Sequence, residues 1–402
     1  MKLAIISHTE HYKDENGRIV GWGPTISEIN QLAKHFEVIY HLAFFYNESP
    51  KKSSLPYTSD NIIFVSLPVS GGKTIYEKLG ILRKMPLLLS KVNYFLKKVD
   101  VYQFRAPVGF GVYLIPYLTL FTNKQGWFKY AGNWNQKKPP IGYALQRLFL
   151  KMQKKKVTIN GEWPEQPTHC YTFENPCLTN EEREFGKTLI ANKDYSPPYS
   201  FCFVGRLEDE KGVRRIIDAV KKTVDRSFIK SIHLIGDGEK KNEYSKDIKE
   251  NDLPIYIHGF LKRDQVFEIY KKSHFLLLPS TASEGFPKVI AEGMNYGCIP
   301  IVSAVSSIGQ YVNEDNGFIV EPTNYEKLAQ ILEDLKGMKE EELKSKADFS
   351  YHVAKNFTFE HYIKRIKEDI LINYLEKFFF LIIGSLFLVF CCIFKFKSDV
   401  LF

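Results

Sequence analysis

The sequence lacks the cysteine patterns that mark disulfide-rich and zinc-binding proteins. Its six cysteines are scattered along 402 residues, and no two of them form a C-x-x-C pair. A chain this long does not depend on a disulfide framework, and the cysteine spacing does not suit a zinc ribbon. We therefore expect reduced thiols in a protein made and kept in the cytoplasm.

Long apolar runs are scarce, which excludes a polytopic membrane protein. The opening stretch, MKLAIISH, is too short for a signal peptide. One run, residues 378–394, has no charged residue, and lysines stand on both sides of it. As a helix it would be about 25 Å long, slightly less than the hydrocarbon core of a bilayer. We expect a C-terminal apolar helix that anchors the chain in a membrane; the alternative is a buried or docked helix.

Neither disorder nor strong charge of one sign is present. Hydrophobic residues make up 44% of the chain and charged residues 25%, which is ordinary for a globular protein. The formal charge of +9 fits contact with anionic lipid or phosphorylated ligands. It is too small to indicate nucleic-acid binding, so no nucleic-acid partner is expected.

Apolar strand-length runs alternate with helical patterns throughout the chain. The first half opens with a strand over 3–7, a polar glycine-containing loop over 8–24 and a helix over 25–36. The same alternation begins again near residue 200, after a polar stretch that ends in Ser-Pro-Pro. It predicts an α/β protein with two tandem Rossmann-like doubly wound domains and a cleft between them. The predicted divisions are a first domain over 1–186, a linker over 187–198, a second domain over 199–356, a closing helix over 357–377 and the anchor over 378–394.

The segment SEGFPKVIAEGM after an apolar strand carries two acids eight residues apart, Glu284 and Glu292. Glu284 falls in a strand-to-helix turn, where active sites of α/β sheets gather, and the following amides point at an anion. An ordinary helix start with an acid in its first turn explains the pattern equally well.

Weaker motifs precede other helices. The turn GRLEDEKG places Arg206 and Lys211 beside a helix N-terminus, as a diphosphate requires. By itself it reads better as two solvated cations. The turn GDG at Gly236 and the lone His258 are also more often structural. The stretch GWGP, with Gly21 and Gly23, permits close approach to a ligand as readily as it makes a plain turn.

Together these motifs resemble the retaining nucleotide-sugar glycosyltransferases of family 4. The ordered set strand-GRL-x3-KG, strand-GDG, HGF and S-x-EGFP-x-V-x-x-E covers residues 199–335. The first half resembles the acceptor domain of that family more weakly. The resemblance implies the GT-B fold and a nucleotide-diphosphate sugar as the donor.

The resemblance also implies roles for individual residues. Catalysis would fall to Glu284, Arg206 and Lys211. The residues implied in donor binding are Gly21, Gly23, Gly205, Arg206, Lys211, Gly236, His258, Gly285, Phe286, Pro287 and Glu292.

The sequence departs from this family in the first domain. Many relatives carry a histidine after the fourth strand, whereas residues 100–107 read DVYQFRAP. Arg105 or Gln103 would take that place, and Lys129 and Asn133 are expected to face the acceptor with Arg105. No metal site and no cofactor are expected, because two cations would offset the charge of a diphosphate leaving group.

The sequence thus leads to a retaining glycosyltransferase that moves a sugar to a glycan or lipid-linked acceptor. We expect it to serve bacterial surface polysaccharide synthesis at the cytoplasmic face of the cell membrane, with the membrane surface as a partner. The alternatives are a sugar-nucleotide epimerase or phosphorylase of the same architecture, and a membrane-tethered scaffold without activity.

Overall fold

The first half of the chain builds a nine-stranded, mostly parallel sheet. In the computed structural model, residues 1–70 and 75–371 are described. The parallel strands run in the order β5-β3-β1-β6-β7-β8-β9. Strand β2 pairs antiparallel with the end of β1, and β4 pairs antiparallel with β2. The strands are β1 (Lys2–Lys13), β2 (Ile19–Trp22), β3 (Val38–Phe45), β4 (Ser54–Pro56), β5 (Ile62–Leu67), β6 (Val101–Ala106), β7 (Gln125–Tyr130), β8 (Val157–Ile159) and β9 (Cys170–Thr172).

The second half builds a six-stranded sheet in which every pairing is parallel. Its order is β12-β11-β10-β13-β14-β15, so the first strand of this half lies in the middle, as β1 does in the other sheet. The strands are β10 (Tyr199–Val204), β11 (Ile229–Ile235), β12 (Ile255–Gly259), β13 (Phe275–Leu278), β14 (Ile299–Val302) and β15 (Phe318–Ile319).

Helices connect the strands of both sheets, as parallel pairing requires. In the first half these are α1 (Gly23–Leu32), α2 (Ile75–Leu96), α3 (Gly111–Leu120), α4 (Ile141–Met152) and α5 (Asn180–Ala191). In the second half they are α6 (Val213–Lys222), α7 (Lys241–Glu250), α8 (Arg263–Lys272), α9 (Lys288–Asn295), α10 (Tyr325–Asp334), α11 (Glu340–Ala354) and α12 (Phe359–Arg365).

Residues Met1–Tyr362 form one unit that contains both sheets, and a second unit begins at Ile363. Its described part completes α12 and continues as a π-helical segment, Ile366–Leu371. The apolar run expected to form the membrane anchor, 378–394, lies outside the described residues. Among the helices that are described, none is long and apolar enough to cross a membrane.

The two faces of the first sheet differ in chemistry. Ile6, Phe104 and Phe128 belong to an apolar core that includes Leu88 of α2 and Leu114 of α3. Because side chains alternate along a strand, the neighbouring positions face the other way. They include Gln103, Arg105, Lys129 and Thr158, all of which are buried. One face of this sheet therefore carries a buried polar row near the carboxyl ends of its strands.

The polar loop predicted over 8–24 is wrong. Strand β1 continues to Lys13 and forms a hairpin with β2, in which His11 is paired with Gly21. The polar residues of this segment suggested a loop, but they belong to the end of β1, which pairs antiparallel with β2. Gly21 therefore lies in a strand, and Gly23 begins α1.

Helix α5 continues to Ala191 and so enters the stretch 187–198, whose role as a linker between domains stays a prediction. The helix starts at a capping box, in which Thr179 and Glu182 each bond the backbone amide of the other. Gly186 lies inside α5 and lets this helix approach Asn295 at the end of α9. By its packing on α9 and α11, α5 belongs with the second sheet.

We predict that Gly186→Ala destabilises the protein, since the new Cβ would lie 2.2 Å from the carbonyl oxygen of Asn295. Forcing α5 and α9 apart should lower the free energy of unfolding by about 1–3 kcal/mol. The matched control is Gly80→Ala in α2, where no atom lies within 4 Å of the new Cβ. There alanine should be neutral or stabilising by about 0.5–1 kcal/mol. Denaturant unfolding followed by circular dichroism compares the two, and equal stability of both variants would contradict the packing described.

Candidate active site

The candidate active site lies where the order of the second sheet reverses. Strand β10 pairs with β11 on one side and with β13 on the other, so chain connections leave in opposite directions from this point. Ligands of open α/β sheets bind at the carboxyl ends of strands at such a reversal. The turn that begins at Gly205 follows β10, and the turn with Glu284 follows β13. The two strongest sequence motifs therefore meet at one edge.

Lys211 and Glu284 form an ion pair across this edge, with Lys211 Nζ against Glu284 Oε1. The Lys211 side chain is 11% exposed, whereas the Glu284 side chain is 43% exposed. The pair thus has a buried cation and a carboxylate that is open to solvent.

Backbone contacts hold the two turns together. The amide of Thr281 donates to the carbonyl of Glu210 over 2.8 Å, and the Ser280 hydroxyl donates to the same carbonyl over 3.0 Å. Gly212 has a φ of +99°, and a Cβ there would lie 2.5 Å from the carbonyl oxygen of Pro279. Glycine is required at this position both by its conformation and by the closeness of the second turn.

Arg206 contributes a more exposed cation to the same edge. Its side chain is 70% exposed and pairs with Glu208 over 3.0 Å. An exposed ion pair of this kind contributes little to stability, so Arg206 is available to an anionic ligand.

The two glycine turns pack on each other. Gly236 has a φ of +137°, and a Cβ there would lie 1.8 Å from the carbonyl oxygen of Gly205. The amide of Leu207 donates to the carbonyl of Asp237 over 3.0 Å. The close packing of the two turns thus explains why residue 236 is a glycine. Donor contacts of Gly205 and Gly236 stay predictions.

Glu292 is mostly buried and lies beside an arginine of α8. It lies on α9 with 15% of its side chain exposed, and Arg263 Nε lies 3.8 Å from its carboxylate. Burial raises the pKa of Glu292, although Arg263 and Lys288 act in the opposite direction. Arg263, which the sequence analysis did not single out, also pairs with Glu182 of α5. Ribose binding by Glu292 stays a prediction.

The turn between Glu284 and α9 is buried against the first half of the chain. A Cβ on Gly285 would lie 2.2 Å from Asn160 Nδ2, so only glycine fits. The Phe286 ring is 4% exposed and stacks on Phe357 at 4.5 Å. Pro287 caps α9. The Phe286 side chain therefore belongs to the packing of this turn, and donor contacts of Gly285, Phe286 and Pro287 stay predictions.

Asn133 lies on the opposite side of this contact, and its Nδ2 donates to Ser283 Oγ over 3.0 Å. Asn133 follows β7, and Ser283 precedes Glu284. The predicted acceptor residue and the predicted donor turn therefore touch.

Arg105 and Lys129 do not reach solvent as the acceptor prediction requires. Both are bound to a carboxylate that the sequence analysis missed, Glu28 of α1, over 2.9 and 2.8 Å. The Tyr362 hydroxyl of α12 donates to the same carboxylate over 2.8 Å. We call Glu28, Arg105, Lys129 and Tyr362 the Glu28 cluster. Glu28 stands among apolar positions of α1, and nothing in its sequence context distinguishes it from a solvated helix acid.

The Glu28 cluster is almost fully enclosed, and its charges depend on one another. Burial acts to raise the pKa of Glu28, but Arg105 and Lys129 outweigh it and hold this pKa well below its ordinary value. Burial lowers the pKa of Lys129 to about 7, against the opposing effect of Glu28. Lys288 at the start of α9 adds positive charge near both groups. The cluster therefore carries more cations than carboxylates.

The glycines of the first hairpin are also enclosed by protein. A Cβ on Gly21 would lie 2.6 Å from the His11 ring, and one on Gly23 would lie 2.5 Å from the carbonyl oxygen of Ser53. These contacts explain both glycines without a ligand, and their approach to the donor stays a prediction.

His258 pairs with a second histidine instead of standing alone. Its Nε2 lies 2.8 Å from Nδ1 of His233 on the neighbouring strand, and burial lowers the pKa of both rings. Donor binding by His258 stays a prediction.

His8 is a further residue that the sequence analysis left in a loop. It lies in β1 and is exposed to solvent, and partial desolvation lowers the pKa of its imidazole. Glu10 and Arg105 are its charged neighbours. Two strand spacings, about 10 Å, separate β1 from β7, which carries Lys129 and leads to Asn133. His8 therefore supplies an imidazole at the carboxyl edge where residues 100–107 have none.

We predict that Glu28→Gln lowers the free energy of unfolding by about 3–5 kcal/mol, because Arg105 and Lys129 would stay buried without their counterion. Tyr362→Phe removes one hydrogen bond to a charged group and should cost about 1.5–3 kcal/mol. Glu15→Gln, at an exposed turn, is the control and should change nothing.

The same variants give a pH test by denaturant unfolding. Because the folded pKa of Glu28 is depressed, its contribution is present above the ordinary value of 4.5 and is lost as pH falls below it. The stability difference between wild type and Glu28→Gln should therefore shrink on acidification. A difference that stays constant from pH 7 to pH 3 would contradict a buried, ionised Glu28.

Comparison with known proteins relates the segment that carries this edge to a family. Residues 187–352 match the family described as glycosyl transferases group 1. A lipopolysaccharide 1,6-galactosyltransferase of Salmonella typhimurium is 34% identical over 121 residues, which are 29% of this chain and 33% of that protein. The uncharacterized glycosyltransferase MJ1607 of Methanocaldococcus jannaschii is 30% identical over 180 residues, 44% of this chain and 43% of that protein. The chain thus matches less than half the length of these relatives.

A solved structure extends the likeness to both sheets. Anabaena Alr3699/HepE, solved in complex with UDP and glucose, superposes with a TM-score of 0.65 at 14% identity, over 92% of this chain and 99% of that chain. At this identity the likeness concerns the fold alone, and it supports the expected two-domain GT-B-like architecture. Residues 187–352 therefore match a group 1 glycosyltransferase domain, the fold is GT-B-like, and the family match together with the names of the relatives supports a glycosyltransferase enzyme.

Proposed function

We propose that the protein is a retaining, family 4-type glycosyltransferase that uses a nucleotide-diphosphate sugar. The observation that carries the proposal is the Lys211–Glu284 pair at the reversal point of the second sheet, inside the segment that matches the family. A buried cation and an exposed carboxylate at one edge suit a donor with a diphosphate and a hydroxylated sugar.

In the free protein Glu284 compensates the charge of the buried Lys211. A donor diphosphate would replace this carboxylate as the partner of Lys211, and Arg206 would turn from Glu208 to the same group. Glu284, released from Lys211, could then accept hydrogen bonds from sugar hydroxyls. Helices α6 and α9 begin at this edge, and their N-termini would add positive potential beside the phosphates of a donor.

The first half of the chain is proposed to hold the acceptor. Support comes from the contact of Asn133 with Ser283, which puts the carboxyl edge of the first sheet beside the donor turn. The net positive Glu28 cluster lies along that edge. Arg105 and Lys129 would then act on an acceptor through the charge of the cluster, and the exposed His8 has Arg105 as a charged neighbour.

The wider role we propose is transfer to a glycan or lipid-linked acceptor in bacterial surface polysaccharide synthesis. The relative named as a lipopolysaccharide galactosyltransferase supports this assignment. We place the reaction at the cytoplasmic face of the cell membrane and propose that it needs neither a metal nor a cofactor, because Lys211 and Arg206 supply the cations for the leaving group.

The test is a panel of nucleotide-diphosphate sugars with the full chain. We expect one donor to bind tightly and to release its nucleotide slowly in the absence of an acceptor, with and without EDTA. A dependence on divalent cations would overturn the metal-free part. Interconversion of the free sugar nucleotide would favour an epimerase, and no binding by folded protein would favour an inactive scaffold.

We predict that Lys211→Ala and Glu284→Gln each lower the rate of donor turnover by about 100–1,000-fold, as for loss of one charge-stabilising group. Lys211→Ala should also weaken donor binding, because its cation contacts the diphosphate. Lys230→Ala, an exposed lysine at the start of β11, is the matched control and should turn over normally. Unchanged turnover in either site variant, with folding verified by circular dichroism, would refute the assignment.

A further inference from the structure

Helix α4 turns its apolar side chains outward. Ile141, Leu145, Leu148 and Met152 are 81, 39, 49 and 75% exposed. They follow one another by four, three and four residues, so they form a single stripe along the helix. We call these four residues the α4 stripe.

The inward face of α4 is fixed by a polar side chain. Gln146 is fully buried, its Nε2 donates to the carbonyl of Val108 over 2.9 Å, and its Oε1 accepts from the amide of Val108 over 3.1 Å. Leu150 is buried beside it. This anchoring sets the rotation of α4, so the outward direction of the stripe follows from the packing of the helix.

Two further exposed apolar side chains lie at the end of α3. Leu120 and Phe121 are 73 and 74% exposed. The Lys155 ammonium, just beyond α4, donates to the carbonyls of Thr122 and Lys124 over 3.3 and 2.8 Å. The ends of α3 and α4 therefore lie side by side. Contiguous exposed apolar surface is uncommon on soluble proteins and marks interaction sites.

Positive charge is concentrated around this surface. Residues 101–161 contain ten lysines and arginines and no aspartate or glutamate, whereas the whole chain has a formal charge of only +9. Lys137 and Lys138 precede α4, and Lys151 and Lys154 lie at its end; all four are exposed. The α4 stripe is thus flanked by cations at both ends.

We propose that the α4 stripe, with Leu120 and Phe121, docks on an anionic lipid bilayer. A helix of 12 residues is too short to span a membrane, but it suits a position in the plane of the interface. There the stripe would enter the acyl boundary while the flanking lysines contact anionic headgroups. Nucleic acid would match the charge but not the apolar stripe, which favours lipid.

The position of α4 relates this surface to the candidate site. The segment 131–140 runs from Asn133, which contacts Ser283, directly into α4. Arg147 of α4 donates to the carbonyls of Trp134 and Gln136 in that segment. Docking through α4 would therefore hold the acceptor side of the site close to the lipid surface. The proposal itself does not rest on the transferase activity, since lipid binding is measured without turnover.

The test uses the full chain with vesicles of phosphatidylcholine alone or mixed equally with phosphatidylglycerol. We expect flotation with the anionic vesicles only, weakened by salt, together with slower amide hydrogen exchange in residues 141–152. Hydrogen exchange reports α4 directly, so binding by any other part of the chain is distinguished from it.

We predict that Leu145→Glu with Leu148→Glu lowers partitioning onto anionic vesicles by about tenfold or more and abolishes the protection of α4, because two apolar side chains would no longer enter the bilayer. Lys151→Gln with Lys154→Gln should weaken the binding without altering the stripe. This second variant tests the proposal even if the first one fails to fold. Val224→Glu is the control, since Val224 is 97% exposed and lies in the other half of the chain.

Several outcomes would overturn the proposal. Vesicle binding with unchanged exchange in 141–152, or unchanged binding by the Leu145→Glu, Leu148→Glu variant, would place the membrane contact elsewhere. A dimer that this variant dissociates, without vesicle binding by the wild type, would assign the stripe to a second copy of the chain. Binding of an RNA probe but not of vesicles would assign the charge to nucleic acid.

Discussion

The buried carboxylate of Glu28 is the interaction on which the arrangement of the first half depends. It joins α1 to β6 through Arg105, to β7 through Lys129 and to α12 through Tyr362. A carboxylate without these partners could not stay ionised at 3% exposure, and the two cations could not stay buried without it. The Glu28 cluster therefore joins four distant chain segments, and each charged member depends on the others to stay buried. Because Tyr362 belongs to the last helix of this unit, the cluster also binds the end of the unit to its beginning.

The repeated topology of the two sheets explains where the chemistry gathers. In each sheet the first strand lies in the middle, so both sheets have a reversal point at the carboxyl ends of their central strands. In the second sheet that point holds Lys211 and Glu284, while in the first sheet it lies next to His8 and Arg105. The contacts of Asn133 with Ser283 and of Asn160 with Gly285 bring the two edges together. The lipid-facing surface proposed for α4 continues from the same edge.

The predictability of the fold varies with the local pattern. The restart of the α/β alternation near residue 200 was predicted correctly, because continuous apolar runs bounded by glycine turns have few other structures available. The end of β1 was missed because its polar residues pair antiparallel with β2, and α5 was missed because Thr179 and Glu182 start a helix in a stretch that resembles a linker. The first error arose where pairing between strands, and not hydrophobic periodicity, selects the structure. The second overlooked a capping box, which is a local signal for the start of a helix.

What the sequence by itself determined is the order of α/β elements and the motifs around Arg206, Lys211 and Glu284, since turns between a strand and a helix carry their own residue signature. It also contained the acid-free stretch 101–161 that surrounds α4. Only the tertiary structure decided that Lys211 pairs with Glu284, that Glu28 pairs with both Arg105 and Lys129, and that the α4 stripe faces outward. The physical reason is that partners far apart in the chain leave no local trace, because burial and charge pairing are fixed by the packing of whole elements against one another.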